Sequence, residues 1–170
     1  MQGDIYRLAG GGRSGITVMK IVTVPNKILT TPTKPVEKFD EELKKLVSEM
    51  EEMLKNQSNP EGVGLSANQV GVGLRVAIVR LNFKNQNAAP NLIAIINPKI
   101  TKHSKKTLKE QEGCLSIPKT DNSVERFESV TVEAQDLQGK PLKLKPNGFL
   151  ARIFQHEIDH LDGKLITSVI

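Results

Sequence analysis

The chain has 170 residues and a mass of 18.7 kDa, which accommodates one domain and excludes a multi-domain machine. Its residues are 38% hydrophobic and 25% charged, too apolar for a disordered chain, and no run of about 18 apolar residues offers a transmembrane span. Lys and Arg number 24 against 19 Asp and Glu, a net charge of +5 that reads as a solvated surface, while five Phe, one Tyr and no Trp supply a base-stacking nucleic-acid surface poorly. The single cysteine, Cys114, excludes an intramolecular disulfide and favours a reducing compartment.

Residues 1–18 are polar and glycine-rich and lack the apolar core of a secretory signal. They read as a flexible leader, or as a start placed upstream of Met19, which strand-like residues follow at once. Gly10-Gly11-Gly12 lacks the Lys-Ser/Thr ending of a phosphate loop. A single domain is therefore expected over residues 19–170. Residues 18–24 read as a strand, and three prolines (Pro25, Pro32, Pro35) make residues 25–35 mostly extended. Over residues 37–56, Phe39, Leu43, Leu46, Val47, Met50, Met53 and Leu54 step by three and four, which predicts an amphipathic helix. A glycine-dense segment, residues 62–73, follows. Strands are expected over 74–81 and over 92–96, the second ended by Asn97-Pro98, with a polar loop over 82–91 between them. Residues 130–134 and 142–144 alternate around a hairpin loop. A second helix is expected over 149–161, with Asn147 as its cap, and the tail 164–170 reads as a closing strand or a docked extended end. The fold class is α+β: antiparallel strands packed around a buried central helix, with one further amphipathic helix near the N-terminus.

The strongest chemical signal lies on that second helix. His156 and His160 are four residues apart, so both imidazoles stand on one face and can bind one metal ion. Glu157 sits roughly 100° around the helix, where it reaches a water at the metal rather than the metal itself. By composition such a His-Glu-x-x-His occurs by chance in about one chain of this length in a few hundred. Two histidines do not complete a site. Ile166 stands where one metalloprotease class has its third histidine, and Asp162 is the only acidic residue after His160. The third ligand is therefore expected upstream, among Cys114, His103 and the carboxylates. His103 lies among lysines and reads as a surface residue. Cys114, within Glu112-Gly113-Cys114-Leu115-Ser116, is a good thiolate partner for two imidazoles. In the glycine-dense segment, Gln69 is the one long side chain able to donate to an oxyanion.

Taken in order, Gly62-Val63-Gly64-Leu65-Ser66-Ala67-Asn68-Gln69, Glu112-Gly113-Cys114-Leu115-Ser116 and Gln155-His156-Glu157-Ile158-Asp159-His160-Leu161 resemble the three signature motifs of the peptide deformylase family, in its bacterial form with Ser after Cys-Leu. Ser66 replaces the family's commoner alanine, and the chain stops soon after Leu165, short of the C-terminal helix of many members.

The resemblance implies a cytoplasmic hydrolase that removes the formyl group from the N-terminal formylmethionine of nascent polypeptides, near the ribosomal exit tunnel, without sequence-specific nucleic-acid binding or a membrane. It implies one divalent ion, Fe2+ in the first place with Zn2+, Ni2+ or Co2+ as other occupants, held by Cys114, His156 and His160. Glu157 would carry the proton of the attacking water to the leaving amine. Gln69 and the Leu115 backbone N–H would hold the developing oxyanion, and Gly64 and Leu65 would pair with the substrate backbone. Glu112 is expected behind the ligands, paired with Arg126, and Ile153 beside the methionine pocket.

Beside a basic RNA-associated protein, which has only the +5 charge behind it, two rival readings remain open from the residues alone. One is a zinc endopeptidase with a Glu or His third ligand. The other is a closed structural zinc site with four ligands.

Overall fold

The computed structural model describes residues 19–57, 61–82 and 89–169. The leader assigned to residues 1–18 lies outside them, as does most of the expected 82–91 loop. In chain order the elements are α1 (Glu41–Asn56), β1 (Gly64–Ser66), β2 (Val76–Arg80), β3 (Leu92–His103), β4 (Thr107–Cys114), β5 (Ile117–Phe127), β6 (Val130–Gln135), β7 (Pro141–Leu144) and α2 (Gly148–Leu161), with 3-10 turns at Lys27–Thr30 and Ala67–Val70. Five strands form an antiparallel sheet in the order β1-β2-β3-β6-β7, while β4 and β5 form a separate antiparallel pair.

The packing follows from period-two alternation along β2. Val76 and Ile78 join Val47, Met50 and Leu54 of α1, whereas Ala77 and Val79 join Phe154, Ile158 and Leu161 of α2. Both faces of β2 are covered, so its four-residue apolar run shows no polar positions. A third cluster gathers Leu29, Ile117, Val124, Leu165 and Ile166, which docks the chain's end against β5. No described helix is long and apolar enough to cross a membrane.

Several expected boundaries shift for local reasons. The first helix begins at Glu41 rather than residue 37, because the Asp40 side chain accepts from Leu43 N–H and caps it there. Residues 19–24 form no strand. Their hydrogen bonds go singly to different partners, from Val22 N–H to Gln69 O (2.7 Å) and from Val24 N–H to Ser116 O (3.0 Å). The proline-rich stretch contains the 3-10 turn Lys27–Thr30, entered through Asn26. The strand at 92–96 does not stop at Asn97-Pro98: Asn97 adopts a left-handed φ of 52°, the register shifts there, and β3 continues to His103. Asn147 begins α2 in extended backbone without a side-chain cap bond. The tail turns and docks through Leu165 and Ile166 instead of adding a strand.

Candidate active site

Helix α2 turns its apolar residues toward the sheet and carries His156, Glu157 and His160 toward the β4–β5 pair. Cys114 is the last residue of β4, next to the tight turn into β5. Three atoms meet between these elements. Cys114 Sγ lies 3.2 Å from His160 Nε2, and His160 Nε2 lies 3.1 Å from His156 Nε2. These residues form the one cluster of metal-ligand type among the described residues. His103 is not part of this cluster; it is exposed and stacks on Phe127 with ring centroids 3.8 Å apart.

The donor set fits a cation. Bonds of about 2.0–2.1 Å to imidazole nitrogen and about 2.3 Å to thiolate sulfur set neighbouring ligand atoms about 3.3–3.6 Å apart in a tetrahedron, close to the spacings found here. The electrostatics agree. Burial opposes charge on His156, yet hydrogen bonds with Cys114 and Glu112 and the charge of Glu157 push its pKa up to about 10. A positive charge is thus favoured at this point. Burial and the neighbouring His156 hold His160 well below its ordinary value, so it presents a neutral ring.

The His156 ring is held from behind. Glu112 is 6% exposed, and all four lone-pair directions of its carboxylate are filled. Oε1 accepts from Arg126 Nε (2.9 Å) and Arg152 Nη1 (2.7 Å), and Oε2 accepts from Arg126 Nη2 (2.9 Å) and His156 Nδ1 (3.1 Å). Burial raises the Glu112 pKa, but the bonds from Arg126 and His156 outweigh it and hold it at about 2. Ionised Glu112 accepts the His156 Nδ1 proton, so Nε2 is the ring atom turned toward His160 and Cys114 and the one that would give up its proton to a bound cation. Arg126 also bonds Asp159, tying β5 to α2. The pairing of Glu112 with Arg126 was legible in the sequence; the place of Arg152 was not. Its guanidinium also donates to Val124 O and Leu108 O, so it clamps β4, β5 and α2 together.

Glu157 is 2% exposed, and its Oε2 has no hydrogen-bond partner. Burial raises its pKa to about 7, partly offset by the positive His156 and by Ser66. A carboxylate kept so close to neutrality can take up and release a proton. Its Oε1 packs over Gly64, where an added Cβ would come within 2.2 Å. Only glycine leaves that carboxylate its place. Gly64→Ala is expected to displace it, lowering kcat by roughly 10²-fold while the melting temperature stays nearly constant, because only a side-chain end must move. An unchanged kcat would show that the carboxylate's position does not matter.

Gln69 is buried in the Ala67–Val70 turn. Its Nε2 lies 3.2 Å from Ser116 Oγ and 3.8 Å from Cys114 Sγ. The adjacent Asn68 donates to His160 O (2.6 Å), which fastens this turn to α2. A cavity of about 300 Å³ opens on the cluster and is lined by Val63, Gly64, Gln69, Cys114, Leu115, Phe149, Ile153, His156 and Glu157 among others. Of the residues expected at the site from sequence, Gly64, Gln69, Cys114, Leu115, His156 and Glu157 line this wall, His160 adjoins it through Cys114 and His156, and the Leu65 side chain is buried in the core with α1. Strand β1 pairs with β2 on one side only and forms an edge of the sheet.

Comparison with known proteins bears on what this arrangement does. Residues 18–170 match the family model described as polypeptide deformylase. A peptide deformylase of Aquifex aeolicus is 43% identical over 86% of this chain and 83% of its own length. Peptide deformylase 1B, chloroplastic, of Solanum lycopersicum is 38% identical over 89% of this chain and 53% of its own length. The crystal structure of a peptide deformylase from Legionella pneumophila superposes with a TM-score of 0.80 at 38% identity, covering 91% of this chain and 86% of that one.

Proposed function

The chain belongs to the polypeptide deformylase family, a family of metallohydrolases that remove N-formyl groups from nascent polypeptides, and on that premise we propose how its own residues carry the reaction. Cys114, His156 and His160 are the ligands of one divalent ion, iron(II) in the first place, with zinc, nickel or cobalt as other occupants. The catalytic domain spans residues 19–170, with α2 as its central helix. The observation that carries this reading is the three-donor cluster beside a buried carboxylate oxygen that has no partner.

When bound, the ion supplies Lewis-acid chemistry: it acidifies water and polarises the formyl oxygen. The remaining work falls to the protein. Glu157 takes the proton of the attacking water and passes it to the departing amine nitrogen, so one carboxylate acts first as base and then as acid. The Gln69 side-chain amide and the Leu115 backbone N–H donate to the formyl oxygen as negative charge grows on it. The free edge of β1, at Gly64 and Leu65, pairs with the extended peptide backbone. The apolar wall of Val63, Leu115, Phe149 and Ile153 receives the methionine side chain. The products are formate and a peptide with a free amino group. The natural place for this work is the cytoplasm beside the ribosomal exit tunnel. An organelle serves equally, as the name of the tomato relative indicates for that protein.

The rivals lose their footing in the same geometry. Asp162 is engaged by Arg75 at 2.7 Å and offers no ligand for a peptidase-type site. A closed structural site needs a fourth ligand, and the described cluster contains three.

The test is formate release from a formyl-Met tripeptide, with protein prepared anaerobically with iron(II) and an acetylated peptide as control. Formate from the first and no cleavage of the second is expected. No formate at one equivalent of bound metal would overturn the proposal.

A further inference from the structure

Ser66 is wholly buried and lies three residues before Gln69, whose carbonyl oxygen it serves twice. Gln69 Oε1 accepts from Ser66 N–H (2.9 Å) and from Ser66 Oγ (2.9 Å). The backbone bond is the return half of a capping box and would persist with any residue but proline at position 66. The hydroxyl bond belongs to serine, whose single proton is shared between Gln69 Oε1 and the nearby Glu157 carboxyl. Because a backbone N–H can only donate, the amide cannot turn its NH₂ group toward Ser66. That group therefore faces Ser116 Oγ and the Cys114 side of the cavity.

We propose that Ser66 is a positioning residue for the reaction: its hydroxyl fills the second lone pair of Gln69 Oε1, fixes the amide plane and strengthens the amide N–H group as a donor into the site. The physical basis is twofold. A carbonyl oxygen held by two donors loses most of its torsional freedom. Hydrogen bonds in series also polarise one another, so an amide that accepts more strongly at oxygen donates more strongly at nitrogen. The consequence appears only when charge develops on the oxygen that Gln69 contacts, so turnover feels it more than substrate binding does. This inference rests on the proposed role of Gln69 as oxyanion donor, and the test separates the two.

The experiment uses full-length, metal-loaded protein and a double-mutant cycle of Ser66→Ala and Gln69→Leu. Serine and alanine are nearly isosteric, so Ser66→Ala should leave no cavity and keep the fold. Its kcat should fall about three- to tenfold with KM unchanged within about twofold, and the effect should vanish in the Gln69→Leu background. Gln69→Leu alone should lower kcat by roughly 10²–10³-fold. An independent readout is solvent exchange of the Gln69 side-chain amide protons in zinc-loaded, ¹⁵N-labelled protein, which should be several-fold faster in Ser66→Ala. Unchanged kcat and unchanged exchange in Ser66→Ala, with Gln69→Leu still impaired, would overturn the inference alone. An equal loss from Ser66→Ala in both backgrounds would also overturn it, since the hydroxyl would then act through Glu157, its other neighbour, and not through Gln69. Unimpaired Gln69→Leu would overturn the oxyanion role and the inference with it.

Discussion

Glu157→Ala is expected to abolish turnover, with kcat lower by ~10³-fold or more, while bound metal stays at one equivalent. General acid–base catalysis contributes about 10²–10⁴-fold, and the role proposed for Glu157 gives one carboxylate both proton transfers. Cys114, His156 and His160 are left in place, and Glu112 continues to hold His156 from behind. The same variant should melt at the same temperature as the parent or higher. Glu157 is buried, its Oε2 has no partner, and burial pushes its pKa up to about 7, all signs of a group that costs stability where it stands. A residue kept for structure would behave the other way. The pH profile supplies a further check. A base must be ionised, so kcat/KM of the parent should rise with pH as Glu157 deprotonates. A bound cation nearby favours the ionised form, which puts that limb below about 7. Kinetics, metal analysis and calorimetry on one preparation decide the matter. Residual activity within tenfold of the parent, or a large drop in melting temperature, would remove Glu157 from its role.

How much of this was legible in the sequence differs from residue to residue. The pair His156 and His160 with Glu157 is local: one helical turn places them on one face, so spacing alone suffices. The amphipathic period of α1 and the apolar run of β2 are equally local. Strands β4 and β5 gave no such signal. Their pair lies apart from the main sheet and exposes much of its surface, so residues 107–113 read as a polar mixture without clean alternation. That gap hid the frame of the site. Nothing in the sequence points to the partners of Arg152, because Glu110 and Glu112 lie on an element that periodicity does not reveal, some 40 residues upstream. The register shift at Asn97 was read as an end, because Asn-Pro signals both a turn and a bulge. In sequence Ser66 is only a replacement of the family's commoner alanine. Only three dimensions show its hydroxyl against Gln69.

Cys114→Ala is the second variant with a large expected effect: it should leave protein that folds and holds less than about a tenth of an equivalent of metal after dialysis against a chelator. Besides Cys114, Glu157 lies turned over Gly64, and the other two acidic side chains around the histidines are already engaged. Glu112 carries Arg126, Arg152 and the His156 Nδ1 proton, and Asp159 is paired with Arg126. Releasing either to replace the thiolate would strand a buried guanidinium, a change that costs several kcal/mol. Two imidazoles alone form an incomplete site and should lose the ion. Folding should survive, because Cys114 is only half-buried at a strand end and the β4–β5 pair is held by the Glu112 network instead. Cys114→Asp offers a finer comparison, as a shorter, harder oxygen ligand at the same backbone position should recover part of the zinc affinity and little turnover. Stoichiometric metal in Cys114→Ala, measured on protein with an unchanged circular dichroism spectrum, would show that the third ligand lies elsewhere.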